Sequence, residues 1–137
     1  MQAGGGHNHR KNLTEMLMLK DNHIDAAGSI TAAVAALRAR YTSCPPIEVE
    51  CRTLDHVREA VEARADRIMM DNMDGQRLSQ ALALVPRSIE TEVSGGVRLD
   101  TIRALALTEP RRPDFISVGR LTHSAVSADF SMTLLAV

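Results

Sequence analysis

Short apolar runs alternate along this chain with stretches whose apolar residues recur every three or four positions, and that alternation limits the available folds more than any other feature. The runs are 15–20 (EMLMLK), 47–52 (IEVECR), 67–71 (RIMMD), 89–94 (IETEVS) and 115–119 (FISVG). Each has the length and residue types of a strand. Between them lie GSITAAVAALRARY, LDHVREAVEARA, DGQRLSQALALV and LDTIRALAL, which carry the helical period. Ser29, Asp55, Asp74 and Asp100 precede those stretches where N-caps belong. A strand followed by a helix and another strand implies a parallel pair, because a parallel connection needs a crossover about as long as a helix. The expected fold is α/β: a parallel sheet, open or closed into a (β/α) barrel. DFSMTLL (129–135) is a candidate final strand, and nothing in residues 1–137 marks a domain boundary.

The polar positions of the strands then say where chemistry could lie. Side chains alternate across a strand, so Ile47, Val49 and Cys51 share one face and Glu48 and Glu50 the other. Ile89 and Val93 oppose Glu90, Glu92 and Ser94; Ile68 and Met70 oppose Asp71; Leu17 and Leu19 oppose Lys20; Ile116 and Val118 oppose Ser117 and Gly119. A parallel strand covered on both sides is apolar throughout. Here one face suits a helix layer and the other turns polar toward the C-terminal end, which is where a (β/α) barrel builds its site.

Composition removes several functions. With a net charge of −1, the chain has no basic surplus with which to bind nucleic acid by bulk electrostatics. Its aromatics are Tyr41, Phe115 and Phe130, too few for a base-stacking platform. No run is long enough to span a membrane. Cys44 and Cys51 lack CxxC spacing and no signal peptide precedes them, so reduced thiols and a cytoplasmic location are expected.

The strand ends carry Lys20, Glu50, Asp71, Ser94 with Gly95 and Gly96, and Gly119 followed by RLTHS. Glu50 and Asp71 on successive strand ends are neighbours, and two like charges need a cation or a polyol. Magnesium shared with a phosphorylated substrate is one solution; an ion pair with Lys20 is another. SGG (94–96) and VGRLTHS (118–124) are turns whose backbone N–H groups could cradle phosphate, or simply turns. His9, Arg10 and Lys20 would suit a dianionic substrate. The opening GGGHNHR could instead be an expression scar, or His7, His9 and His23 could hold zinc, although their spacing matches no known ligand pattern. His56 is expected at the surface of a helix.

GGGHNHR, LKDNHI, IEVEC, IMMDNM, EVSGGV and ISVGRLTHS stand in an order and spacing that resembles quinolinate phosphoribosyltransferase, also called carboxylating nicotinate-nucleotide pyrophosphorylase. The resemblance covers nearly the whole chain. It implies a reaction in which phosphoribosyl pyrophosphate and quinolinate yield nicotinate mononucleotide, pyrophosphate and carbon dioxide in NAD biosynthesis, with Mg2+ and in a homodimer or higher oligomer. It implies that His9, Arg10 and Lys20 face quinolinate, with GGGHNHR as a substrate loop. Glu50 and Asp71 would hold ribose hydroxyls and magnesium, and Ser94, Gly95, Gly119 and His123 would cradle phosphate. Lys20, Glu50 and Asp71 would be the catalytic set.

The sequence also departs from that pattern. The family carries an N-terminal α/β domain and a first barrel strand with Asp-Thr-Arg-Lys-Thr, so the resemblance implies an incomplete TIM-like barrel, with residues 1–137 as its C-terminal catalytic portion. LTEPRRPDF, with an insertion over 108–115, replaces a shorter connection, and Arg120 stands where a small residue is usual. A non-catalytic remnant, a paralogue acting on another acceptor and a zinc-binding module are the rival readings.

Overall fold

In the computed structural model, which describes residues 2–135, five parallel strands stand side by side in chain order. They are β1 (Leu17–Leu19), β2 (Ile47–Cys51), β3 (Arg67–Asp71), β4 (Glu90–Ser94) and β5 (Phe115–Ile116). Helices α1 (Asp21–Ala27) and α2 (Ile30–Arg40) follow β1, α3 (Leu54–Glu62) follows β2, α4 (Gly75–Leu84) follows β3, α5 (Ile102–Ala106) follows β4 and α6 (Arg120–His123) follows β5. Sequential parallel strands joined by helices make the wall of a (β/α) barrel; among the described residues they form an open arc with β1 and β5 at its edges.

The register aligns the strand ends. Leu19 pairs with Val49, Glu50 with Met69, Met69 with Glu92 and Asp71 with Ser94. One face carries Ile47, Val49, Cys51, Ile68, Met70 and Val93, which are buried with Ile30, Val34, Val57, Leu78 and Leu82 of the helices. Burial of such side chains, at roughly 1.5–3 kcal/mol each, fixes which way every strand faces. Charged residues therefore collect on the opposite face.

Local chemistry sets the helix ends. Ser29 Oγ accepts from the Ala32 N–H at 3.0 Å and Asp74 Oδ1 from the Arg77 N–H at 2.8 Å, as the sequence suggests. Two expected caps are corrected. Thr53, not Asp55, caps α3, accepting from the His56 N–H at 3.1 Å; Asp55 lies inside the first turn, where its charge still favours the helix dipole. Asp100 caps nothing, because Arg98 grips its carboxylate through Nε and Nη2, both at 3.1 Å, and holds it below its ordinary range. Helix α1 is an element that the periodicity did not suggest. His23 Nδ1 accepts the Lys20 N–H at its start, and Gly28 ends it at φ +85°.

The candidate strand over 129–135 does not form; its backbone joins no sheet edge, and Phe130, Met132 and Leu134 are exposed. Alternation alone does not make a strand without a partner edge. The 108–115 segment, by contrast, is firmly tied. Arg111, buried, donates to the carbonyls of Val85, Pro86 and Ile89 and to Asp114. Asp114 in turn accepts from the backbone and the hydroxyl of Thr91. Although burial opposes ionisation of Asp114, these bonds outweigh it and its pKa is lowered.

Candidate functional site

Two tiers of charge occupy the polar face, both set by strand alternation. The upper tier is the rim at the C-terminal ends. Lys20 Nζ lies 3.7 Å from Glu50 Oε2. Arg52 reaches Glu50 at 3.0 Å, Asp71 at 3.6 Å and Asp21 at 2.8 Å. Lys20, Glu50 and Asp71 thus share one rim, and the ion pair with Lys20 is present. The larger cation is Arg52, which the sequence reading missed. Its signal was available, since a residue two places beyond Glu50 shares that face. Asp21 is held below its ordinary pKa by the Asn22 N–H and then by Arg52.

The lower tier lies deeper. Glu48 and Glu92 are 0% and 1% exposed, and His9 Nε2 approaches their Oε2 atoms at 3.1 and 3.2 Å. Arg67 holds Glu90 through Nε and Nη2 at 3.0 and 2.8 Å, and touches Glu92 only through Nη1 at 3.4 Å. Its guanidinium also stacks on Phe115, 4.2 Å from the ring centroid. The Ser117 hydroxyl donates to Glu92 Oε1, while neither oxygen of Glu48 has a hydrogen bond. Burial, with the Glu92 charge beside it, pushes Glu48 from an ordinary pKa near 4.5 up to about 8. The sequence reading put both acids on the polar face and stopped there; alternation gives the face but not the depth.

His9, Arg10 and Lys20 take three different partners. His9 descends to the lower tier, Lys20 stays with Glu50, and Arg10 folds back so that Nη1 donates to the Met16 carbonyl at 3.0 Å. His7 and His23 join no metal-type cluster among the described residues; the one such group is His9, Glu48 and Glu92. His23 is engaged as a helix cap. His56 is half-buried rather than at the surface, and its Nδ1 has no hydrogen bond. Cys51 is no nucleophile: burial pushes its thiol up to about 12.

On the other side of the rim, the loops after β4 and β5 meet around one cavity of about 510 Å3, lined by Ser94, Gly95, Ser117, Gly119 and His123. Arg98 and Arg120 also border it. Gly95 stands at φ +92°, and a Cβ there would fall 2.4 Å from the Asn72 side chain and 2.8 Å from its backbone nitrogen. Only glycine fits that contact. It lets the SGG turn press against the loop after β3, where the Asn72 N–H donates to the Ser94 carbonyl at 3.0 Å. A Cβ at Gly119 would sit 3.4 Å from His123 Nε2. The two glycine turns singled out in the sequence therefore share a single concavity.

Residues 1–133 match the family model described as "Quinolinate phosphoribosyl transferase, C-terminal domain". A probable nicotinate-nucleotide pyrophosphorylase (carboxylating) of Bacillus subtilis is 43% identical over 132 residues, which are 96% of this chain and 45% of that protein. The Homo sapiens nicotinate-nucleotide pyrophosphorylase (carboxylating) is 36% identical over 137 residues, 98% of this chain and 45% of that one. The crystal structure of NadC from Streptococcus pyogenes superimposes with a TM-score of 0.85 at 42% identity, covering 96% of this chain and 45% of that chain. The chain spans less than half the length of each of these relatives.

Proposed function

The chain belongs to the quinolinate phosphoribosyl transferase family, as its C-terminal domain, and on that premise we propose that its polar face binds phosphoribosyl pyrophosphate and one side of the acceptor quinolinate. The reaction served is attack of the acceptor's ring nitrogen on C1 of the ribose with departure of pyrophosphate, then loss of one carboxyl as carbon dioxide and uptake of a proton from solvent at the ring carbon it leaves. The product is nicotinate mononucleotide. The observation that supports this reading best is the convergence of the two glycine turns on one cavity beside the rim acids.

Each residue then has a task suited to its place. The backbone at Ser94–Gly96 and Gly119, with His123, would hold phosphate oxygens, since glycine turns bring N–H groups close to an anion. Glu50 and Asp71 would bind the ribose hydroxyls. The same pair would hold magnesium: both are hard oxygen donors, and one guanidinium already reaches both. When bound, the ion neutralises charge on the leaving pyrophosphate. Lys20, Arg10 and His9 would meet the acceptor's carboxylates, with the protein contributing orientation and preorganised charge.

The share of the relatives' length that this chain covers supports a second reading: binding without turnover by this chain alone. Calorimetric titration with pyrophosphate, phosphoribosyl pyrophosphate and quinolinate, each with and without Mg2+, separates the two from a steady-state assay for nicotinate mononucleotide. Magnesium-dependent binding of the phosphate ligands is expected, with an affinity about tenfold lower in Asp71→Asn, or ~1.4 kcal/mol. Quinolinate binding should be negligible and turnover absent in the isolated chain. Failure to bind either phosphate ligand, or an Asp71→Asn variant that binds as well as wild type, overturns the proposal. Replacing quinolinate by other acids in the assay tests for a paralogue with a different acceptor.

A further inference from the structure

We infer that His9, Glu48 and Glu92 form a cation site of their own, below the rim acids, for a divalent transition ion of the Mn2+ or Zn2+ class. The inference does not depend on the phosphoribosyl reading. Three donors converge: His9 Nε2 is 3.1 Å from Glu48 Oε2 and 3.2 Å from Glu92 Oε2, and the donor atoms all lie within 4.8 Å of one another. An ion with bonds of about 2.0–2.2 Å holds adjacent ligands roughly 3.0–3.4 Å apart. The spacing is that of a ligand shell.

A second observation points the same way. Glu48 is 0% exposed and aimed into the cluster, yet neither of its oxygens is hydrogen bonded. A buried carboxylate without a hydrogen bond is costly; it keeps a proton when the site is empty, and a divalent ion in the proton's place would compensate both acids. The protein's own cations do not supply that compensation. Arg67 is committed to Glu90 and Phe115 and reaches only Glu92. Lys20 and Arg52 stay on the rim. A protonated His9 has one N–H at Nε2, and that N–H is aligned for a hydrogen bond with neither oxygen, at 3.1 and 3.2 Å. The donor set chooses the class of ion. One imidazole with two carboxylates suits manganese or zinc, whereas magnesium keeps to oxygen ligands. His9, 27% exposed, lies on a loop outside the sheet and gives the ion its way in.

The test is metal binding by the whole chain after chelator treatment. Mn2+ is titrated and followed by the loss of free-ion resonance, and Co2+ by the visible bands of a ligated ion. With millimolar Mg2+ present to occupy the rim acids Glu50 and Asp71, wild type should take up one ion per chain. Glu48→Gln, almost the same shape without the charge, should bind at least tenfold more weakly, and Glu62→Gln, an exposed acid of α3 outside both tiers, should bind as wild type does. Millimolar Mg2+ should not displace the bound ion. If Glu48→Gln fails to give a cooperative melt, His9→Gln replaces it, since its loop can lose the imidazole without touching the sheet; the Co2+ bands should then vanish. No uptake by wild type overturns the inference. So does uptake unchanged by Glu48→Gln and His9→Gln, or uptake lost in Asp71→Asn alone, which would put the ion on the rim.

Discussion

The two pairs of carboxylates share strand β2, where Glu48 and Glu50 stand two residues apart, yet their partners differ in kind. Glu50 and Asp71, at the rim, have Lys20 and Arg52 beside them, and Arg52 is itself half exposed. Glu48, two residues before Glu50 on β2, and Glu92, two residues before Ser94 on β4, have one imidazole, the tip of the Arg67 guanidinium and the Ser117 hydroxyl beside them. The rim can recruit long flexible cations because solvent leaves them room. The lower tier can recruit only what the register and the His9 loop deliver. A carboxylate's role on this face is thus set by depth more than by type. The rim acids are paired with flexible, half-exposed cations, and the lower tier is closed around a buried carboxyl that keeps its proton.

The largest expected difference is in stability. Arg67→Ala removes the guanidinium that reaches Glu92 and should cost ~3 kcal/mol, as breaking a buried charged contact does. Arg52→Ala, on the rim, should cost less although it cuts three ion pairs, because Arg52 is half exposed and Lys20 stays beside Glu50. Equal losses in the two variants would erase the distinction between the tiers.

The next effect is in pH. Because the folded-state pKa of Glu48 is raised to about 8, the native protein keeps a proton there that the unfolded chain releases above its ordinary value near 4.5. Its contribution to stability is complete below that value and is lost as pH rises through 8, a decline of order ~2–4 kcal/mol. Unfolding followed from pH 5 to 8.5 in the presence of chelator should show it, and Glu48→Gln should flatten the curve. A slope identical in the variant would place the titration elsewhere.

The smallest effect sharpens the comparison through salt. Raising ionic strength to about 1 M, where the screening length is roughly 3 Å, should abolish whatever deficit Arg52→Ala shows at low salt. The deficit of Arg67→Ala should persist, because its partner Glu92 is 1% exposed. A salt-sensitive Arg67→Ala deficit would mean that water reaches the lower tier.

Much of this architecture was legible before any coordinates. Strand positions and facing follow from a period of two, and the segments between them from a period near 3.6, because each element must turn its apolar side to one core. The glycine turns at 94–96 and 119 stood out because side chains would obstruct them, and they do share a cavity. Other features depended on what stands opposite. Asp55 read as the cap of α3, and only the path of the chain into that helix selected Thr53 instead. The apolar alternation over 129–135 has no strand beside it and remains extended and exposed.

What the sequence determined by itself was which residues face the same way, for that is a property of the backbone's own repeat. Depth, partner and charge state were decided by tertiary structure. Register placed Glu92 level with Met69 and Glu50, a loop far from both in sequence carried His9 to Glu48 and Glu92, and helices sealed the opposite face. Electrostatic energy depends on distance and on the surrounding dielectric, and neither exists until the strands have been laid side by side.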